Sequence, residues 1–192
     1  MSARGSGAVT RRGFMFLVAG GLVGCGSSDR STGSSGVIVG QAVFPPQLGG
    51  GPVARAPVVS LAVNNPGVTI PQGQTDGNGN YRVDLAGSGT LAIIVQGLIQ
   101  GSQVRVSGLL NPPQQGQSKN FNGVTDIACE AGVSSVVDGS VRAGQLDVTR
   151  ITNLELAAGL LAGGVNFLDP RAVSAAAVRV RLLTGNGAHT PS

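Results

Sequence analysis

"NYRVDLAGSGTLAIIVQGLIQGSQVRVSGLL", residues 80–110, decides the fold. Its opening puts Tyr81, Val83 and Leu85 on one side of an extended chain and Arg82 and Asp84 on the other. Side chains alternate across a strand, so this period of two marks a half-buried strand. From Thr90 to Gly97 the chain is apolar almost without a break, as expected of a central strand covered on both faces. Ser102 to Leu110 alternates again, with Val104 and Val106 pointing inward.

Upstream the same signals recur. Val37–Val43 reads as a strand and is followed by a Pro/Gly-rich loop through Pro52. Ala56–Val63 alternates apolar and small residues, a further half-buried strand. Pro66–Ile70 reads as a short edge piece bracketed by Pro66 and Pro71, because proline cannot donate to a sheet ladder. Six short strands separated by turn residues predict a mainly β chain built as a β-sandwich. "DGNGN", 76–80, places Asp76, Asn78 and Asn80 at alternate positions, as a calcium loop would. Such a loop needs Gly at its sixth position and Glu at its twelfth, where this chain has Tyr81 and Gly87. A tight Asn-Gly turn accounts for the residues, and no metal ligand is assigned.

The stretch "TDGNGNYRVDL…GTLAIIVQG" resembles the carboxypeptidase regulatory-like, or transthyretin-like, domain. The residues that carry the resemblance are Thr75, Asp76, Asn78, Gly79, Tyr81 and Val83, with Gly40-Gln41-Ala42-Val43 as a looser match. The Pro/Gly insertion at 45–52 departs from the compact family pattern. The resemblance implies a transthyretin-like (prealbumin-like) sandwich over residues 37–110, a non-catalytic module for folding, anchoring or partner contact.

Beyond it the pattern changes. Residues 111–122, "NPPQQGQSKNFN", read as a polar linker, 123–186 as a small C-terminal helical segment and 187–192 as a flexible tail. A first helix is expected from Asp126 to Val137, stopped at Asp138-Gly139. A second is expected from about Val148 to Ala162, with Val148, Ile151, Leu154, Ala158 and Leu161 on one face. Thr152 with Glu155 also fits a capping box, which leaves its start open by a few residues. The third has Asp169 as N-cap, Pro170 in its first turn and Gly185 as its close. Val173, Ala176, Ala177, Val180 and Leu183 face one way there, Val178 and Leu182 the other.

The N-terminus carries the strongest signal of location. Arg4, Arg11 and Arg12 precede an apolar run from Phe14 to Gly24, and no acidic residue occurs before Asp29. A helix needs about 20 apolar residues to cross a bilayer, so the run is too short to span. Positive start, short apolar run and small-residue exit make 1–24 a secretory signal peptide. Leu22-Val23-Gly24-Cys25 resembles the bacterial lipobox, which implies cleavage before Cys25 and lipidation of its sulfur. Residues 25–36 then form a Ser/Gly tether. "TRRGFMF", with Arg11 and Arg12, resembles the twin-arginine export motif, and the general export route stands beside it. Gly26, not Asp, follows Cys25; in lipoproteins of two-membrane bacteria that implies the outer membrane, and in other cells the anchor is the cell membrane.

Composition removes several classes of function. Three of the thirteen basic residues lie in the leader, and the remaining ten stand against nine acidic ones, a net of +1. That is no basic footprint for nucleic acid or for anionic lipid. Past the leader the aromatics are Phe44, Tyr81, Phe121 and Phe167, too few for stacking platforms. Cys129 is expected to be a buried, inert thiol. His189, the one histidine, stands close to the C-terminus, so neither a His/Cys metal site nor a Ser-His-acid triad can be assembled. No catalytic residue and no cofactor is assigned. The expectation is a lipid-anchored envelope protein whose partners are the membrane and an envelope protein. A solute- or glycan-binding lipoprotein, its small-molecule ligand unknown, is the alternative.

Overall fold

A computed structural model describes residues 37–84, 89–111 and 116–185. Six strands alternate with turns before three helices: β1 (Val37–Gln41), β2 (Pro57–Ala62), β3 (Thr69–Gln74), β4 (Asn80–Asp84), β5 (Leu91–Ile99), β6 (Ser102–Leu110), α1 (Gly123–Val137), α2 (Val148–Ala162) and α3 (Pro170–Leu183). The strands form two antiparallel sheets, one of β1 and β4, the other in the order β3-β2-β5-β6. The expectation of a mainly β chain is corrected in part. Helix accounts for 35% of the described residues and strand for 32%, so the two weigh alike.

The face of each residue follows from alternation. Val58, Ile93, Val95, Val104, Val106 and Leu110 point toward β1 and β4, where they meet Ile38, Tyr81 and Val83. Leu61, Ala92, Ile94 and Leu109 point the other way, into an apolar cluster with residues of all three helices. β5 is therefore covered on both sides, as its unbroken apolar run required. α1 is the most enclosed helix, and its small residues Ala128, Ala131 and Gly132 are all buried. A Cβ on Gly132 would stand 2.6 Å from Leu109 Cδ1, so a residue without a side chain is what admits α1 so close to β6.

Several boundaries differ from the sequence expectation. β3 does not stop at Pro71 but runs through it to Gln74. It is an edge strand, and the ladder with β2 shifts register between Val58 and Val59, beside the position paired with Pro71. An edge at a bulge is where a missing N–H costs least. α1 starts three residues early, at Gly123, because Asn122 caps it: its side chain accepts from the Val124 and Thr125 amides, and the Thr125 hydroxyl accepts from the Asn122 amide. α2 is capped by Asp147, which accepts from the Arg150 amide, and not by Thr152, whose hydroxyl donates back to Val148 O. Val148 at the first helical position is exposed, and so is Leu183 in the last turn of α3, against the facing read from periodicity. Leu85 lies outside the described residues.

Residues 116–121 run beside β1. The Gly116 and Lys119 amides donate to Val37 O and Val39 O, and the Phe121 amide donates to Gln41 O. Phe121 itself is fully buried between the sheets. At the other end the Asp84 amide donates to the Gln72 side chain, linking β4 to β3.

Candidate functional site

The residues singled out for export and anchoring, Arg11, Arg12 and Cys25, lie outside the described residues, as does His189. Within them, the chemistry-bearing groups collect where the helices meet the sheet.

The largest such cluster joins β6 to α1. Arg105 and Ser107 sit on the face of β6 opposite Val104 and Val106, and Asp126 and Glu130 are one helical turn apart on α1. Arg105 Nε donates to Asp126 Oδ1 at 3.0 Å and its Nη2 to Glu130 Oε2 at 2.5 Å. The Ser107 hydroxyl donates to Asp126 Oδ1 at 2.5 Å, and Ser174 of α3 donates to Glu130. Burial pushes the Asp126 carboxyl up, and the Arg105 guanidinium and the Ser107 hydroxyl hold that rise in check. Sequence reading missed this cluster. The signal was present: an acidic pair at i and i+4 on an otherwise apolar helix, and a polar second face on an alternating strand.

Cys129 stands next to it. Burial pushes its thiol up to about 12, so the thiolate that would react is scarce at neutral pH. A maleimide added to the native protein is expected to leave Cys129 unmodified, and to label it after unfolding in urea. Labelling of the folded chain at Cys129, read by peptide mass spectrometry, would contradict that burial.

A second junction ties residues 116–121 to the helices. Lys119 Nζ donates to Glu155 of α2 at 2.6 Å and to Leu109 O at 3.0 Å. A third holds the sheet to the segment before α2, where Asn111 Nδ2 donates to both Thr90 Oγ1 and Leu146 O. The Asp76 carboxylate, considered above as a calcium ligand, has its oxygens turned to the chain. Oδ1 accepts from the Asn78 and Asn80 amides, Oδ2 accepts from the Asn80 side chain, and Gly79 takes a positive φ of 76°. The donors from Asn80 hold the carboxyl below its ordinary 3.8.

Asp138, after α1, gives a pH prediction. Burial alone would raise its carboxyl, but Ser140, through hydroxyl and amide, and Arg181 of α3 outweigh it and hold it below 3.8. A carboxylate whose pKa is lower folded than unfolded adds stability that is full above the unfolded value and is lost as pH falls through the folded one. Stability is therefore expected to decline on acidification below about 4, with Asp76 and Asp138 contributing. Asp138→Asn should flatten that decline in urea melts across the range. An unchanged slope would remove Asp138 from the account.

The surface of the helical layer divides into two kinds. A solvent-open depression of about 530 Å³ at the start of α2 is lined by polar groups, among them Gln145, Asp147, Asn153 and Thr184. The outward sides of α2 and α3 are apolar in part: Leu156 and Leu160 are 67% and 81% exposed, Val178 and Leu182 51% and 67%. No helix among the described residues is long and apolar enough to cross a membrane. No family model matches the chain, and no curated protein matches it.

Proposed function

We propose that this is an exported, lipid-anchored protein of the cell envelope, whose folded body serves a structural or partner-binding role without catalysis. One observation carries the reading: Leu22-Val23-Gly24-Cys25 closes a short apolar run that begins behind Arg11 and Arg12. A thiolate is the side chain suited to forming a stable thioether with a lipid donor, and small residues before it suit a peptidase. The polar chemistry of the body supports the second half of the proposal. Arg105 with Asp126 and Glu130, Lys119 with Glu155, and Asn111 with Thr90 are each engaged in joining one layer to another.

The finer fold belongs to the same proposal. We read the strands as a transthyretin-like sandwich, supported by two antiparallel sheets, by β5 as an inner strand, and by the Asp76–Asn80 turn ahead of β4. The test of the function is metabolic labelling of the full chain with a fatty-acid analogue. The wild type is expected to take up label and Cys25→Ala to take up none. Label retained by Cys25→Ala, or absent from the wild type, overturns the anchor.

A further inference from the structure

Two stripes stand on the outside of the helical layer. On α2, Thr149, Asn153, Leu156 and Leu160 follow at intervals of four, three and four, opposite the buried Ile151, Leu154 and Ala158. On α3, Arg171, Ala175, Val178 and Leu182 repeat the same spacing, opposite the buried Val173, Ala176, Ala177 and Val180, and Arg179 flanks them. Leu156, Leu160, Val178 and Leu182 are each more than half exposed.

The charge beside the α3 stripe is basic. Every acidic side chain from 116 to 185 already has work inside the protein. Asp126 and Glu130 hold Arg105, Asp138 holds Arg181, and Glu155 holds Lys119. Asp147 and Asp169 cap α2 and α3, where the helix dipole already answers their charge. Arg171 and Arg179 meet no acidic side chain among the described residues. On α3, the side-chain charge next to Val178 and Leu182 that has no ion-pair partner is therefore that of Arg171 and Arg179.

We propose that the outer faces of α2 and α3 lie on an anionic lipid bilayer, with Leu156, Leu160, Val178 and Leu182 entering the headgroup region and Arg171 and Arg179 meeting lipid phosphates. Apolar residues on one helical side with arginine along the rim are the pattern of helices that lie in a membrane interface. Each basic residue near an anionic surface adds to that attraction. The surface deepens the envelope reading, on which it rests. Twelve residues of chain from Cys25 to Val37 set an upper limit of roughly 40 Å on the distance between the anchor and the folded body.

The test uses the full chain in cells, with a photoreactive diazirine residue at position 160 or 182 and a control at Val68, an exposed apolar position on the β side. Phospholipid adducts at 160 and 182, well above those at 68, are expected. Adducts only to another protein, or only to this chain's own residues, overturn the proposal, as do equal lipid adducts at all three positions. In the second arm the full chain carrying Cys25→Ala, and so no acyl anchor, is purified and mixed with phosphatidylcholine–phosphatidylglycerol vesicles or with pure phosphatidylcholine. Reversing both charges, Arg171→Glu with Arg179→Glu, should reduce partitioning onto the anionic vesicles at least about tenfold and leave the neutral ones unaffected. Equal loss on both, or none, refutes the role of the arginines. Fatty-acid labelling keeps the two readings apart. A labelled chain without lipid adducts retains the anchor and loses this surface, while lipid adducts on an unlabelled chain do the reverse.

Discussion

Arg105→Met is expected to destabilise the protein by about 3–5 kcal/mol. The reason lies less in the ion pair's attraction than in what the substitution leaves behind. The Asp126 side chain is 2% exposed, and without the guanidinium it keeps one side-chain donor, Ser107. An ionised carboxylate in that position has lost its water and its counter-charge together. Arg105 is placed differently. Its side chain is 35% exposed and has Glu130 as a second partner. Asp126→Asn should therefore cost only about 1–2 kcal/mol, since the Ser107 hydroxyl can still donate to an amide oxygen and the guanidinium keeps Glu130 and water. Replacing both partners by apolar side chains, Arg105→Met with Asp126→Leu, should recover most of the loss. Urea unfolding of the three variants reads all of this. Equal costs for the two single substitutions, or a cost under about 1 kcal/mol for Arg105→Met, would mean that the pair behaves as a solvated surface contact.

How much of this was legible in the sequence depends on whether one segment or two must be read together. Strand existence follows from local signals, alternation in most and an unbroken apolar run in β5, and all six expected strands occur. Tyr81 with Val83, and Val104 with Val106, are buried as their spacing required. Asp169 and Pro170 start α3, and Gly139 past the end of α1 takes the positive φ that a helix stop favours. What alternation cannot give is the partner of the second face. Arg105 and Ser107 read as an ordinary polar side of a strand until α1 is laid across them. The same holds for Val148 and Leu183, where helical periodicity is right but the helix ends overrun what they pack against. The start of α1 was missed for a local reason. Asn122 lies at the end of a polar Pro/Gln run, and only its side chain's bonds to the next amides show that it is a cap.

Phe121 is the sharpest case of a residue hidden by its neighbours, and Phe121→Ala is the second large expected loss, about 3–5 kcal/mol. It stands in a polar stretch, yet it is fully buried and stacked on Tyr81 with ring centres 4.9 Å apart and planes 7° from parallel. The ring occupies the space that a side chain at Gly108 of β6 would fill. Removing it takes away apolar burial and the stacked pair together. It also releases the segment whose Lys119 and Phe121 amides bond to β1, so those amides should exchange faster with solvent than their neighbours in β5. Gly108→Ala gives a test by sign. In the wild type the added Cβ collides with Cδ1 and Cε1 of Phe121, so the change should destabilise. In Phe121→Ala the same Cβ enters the vacated space and removes a glycine from a strand interior, so it should stabilise. A substitution harmful in one background and helpful in the other is what a single shared cavity demands. Harm in both, measured by urea midpoint, would show that the ring of Phe121 does not occupy the space beside Gly108.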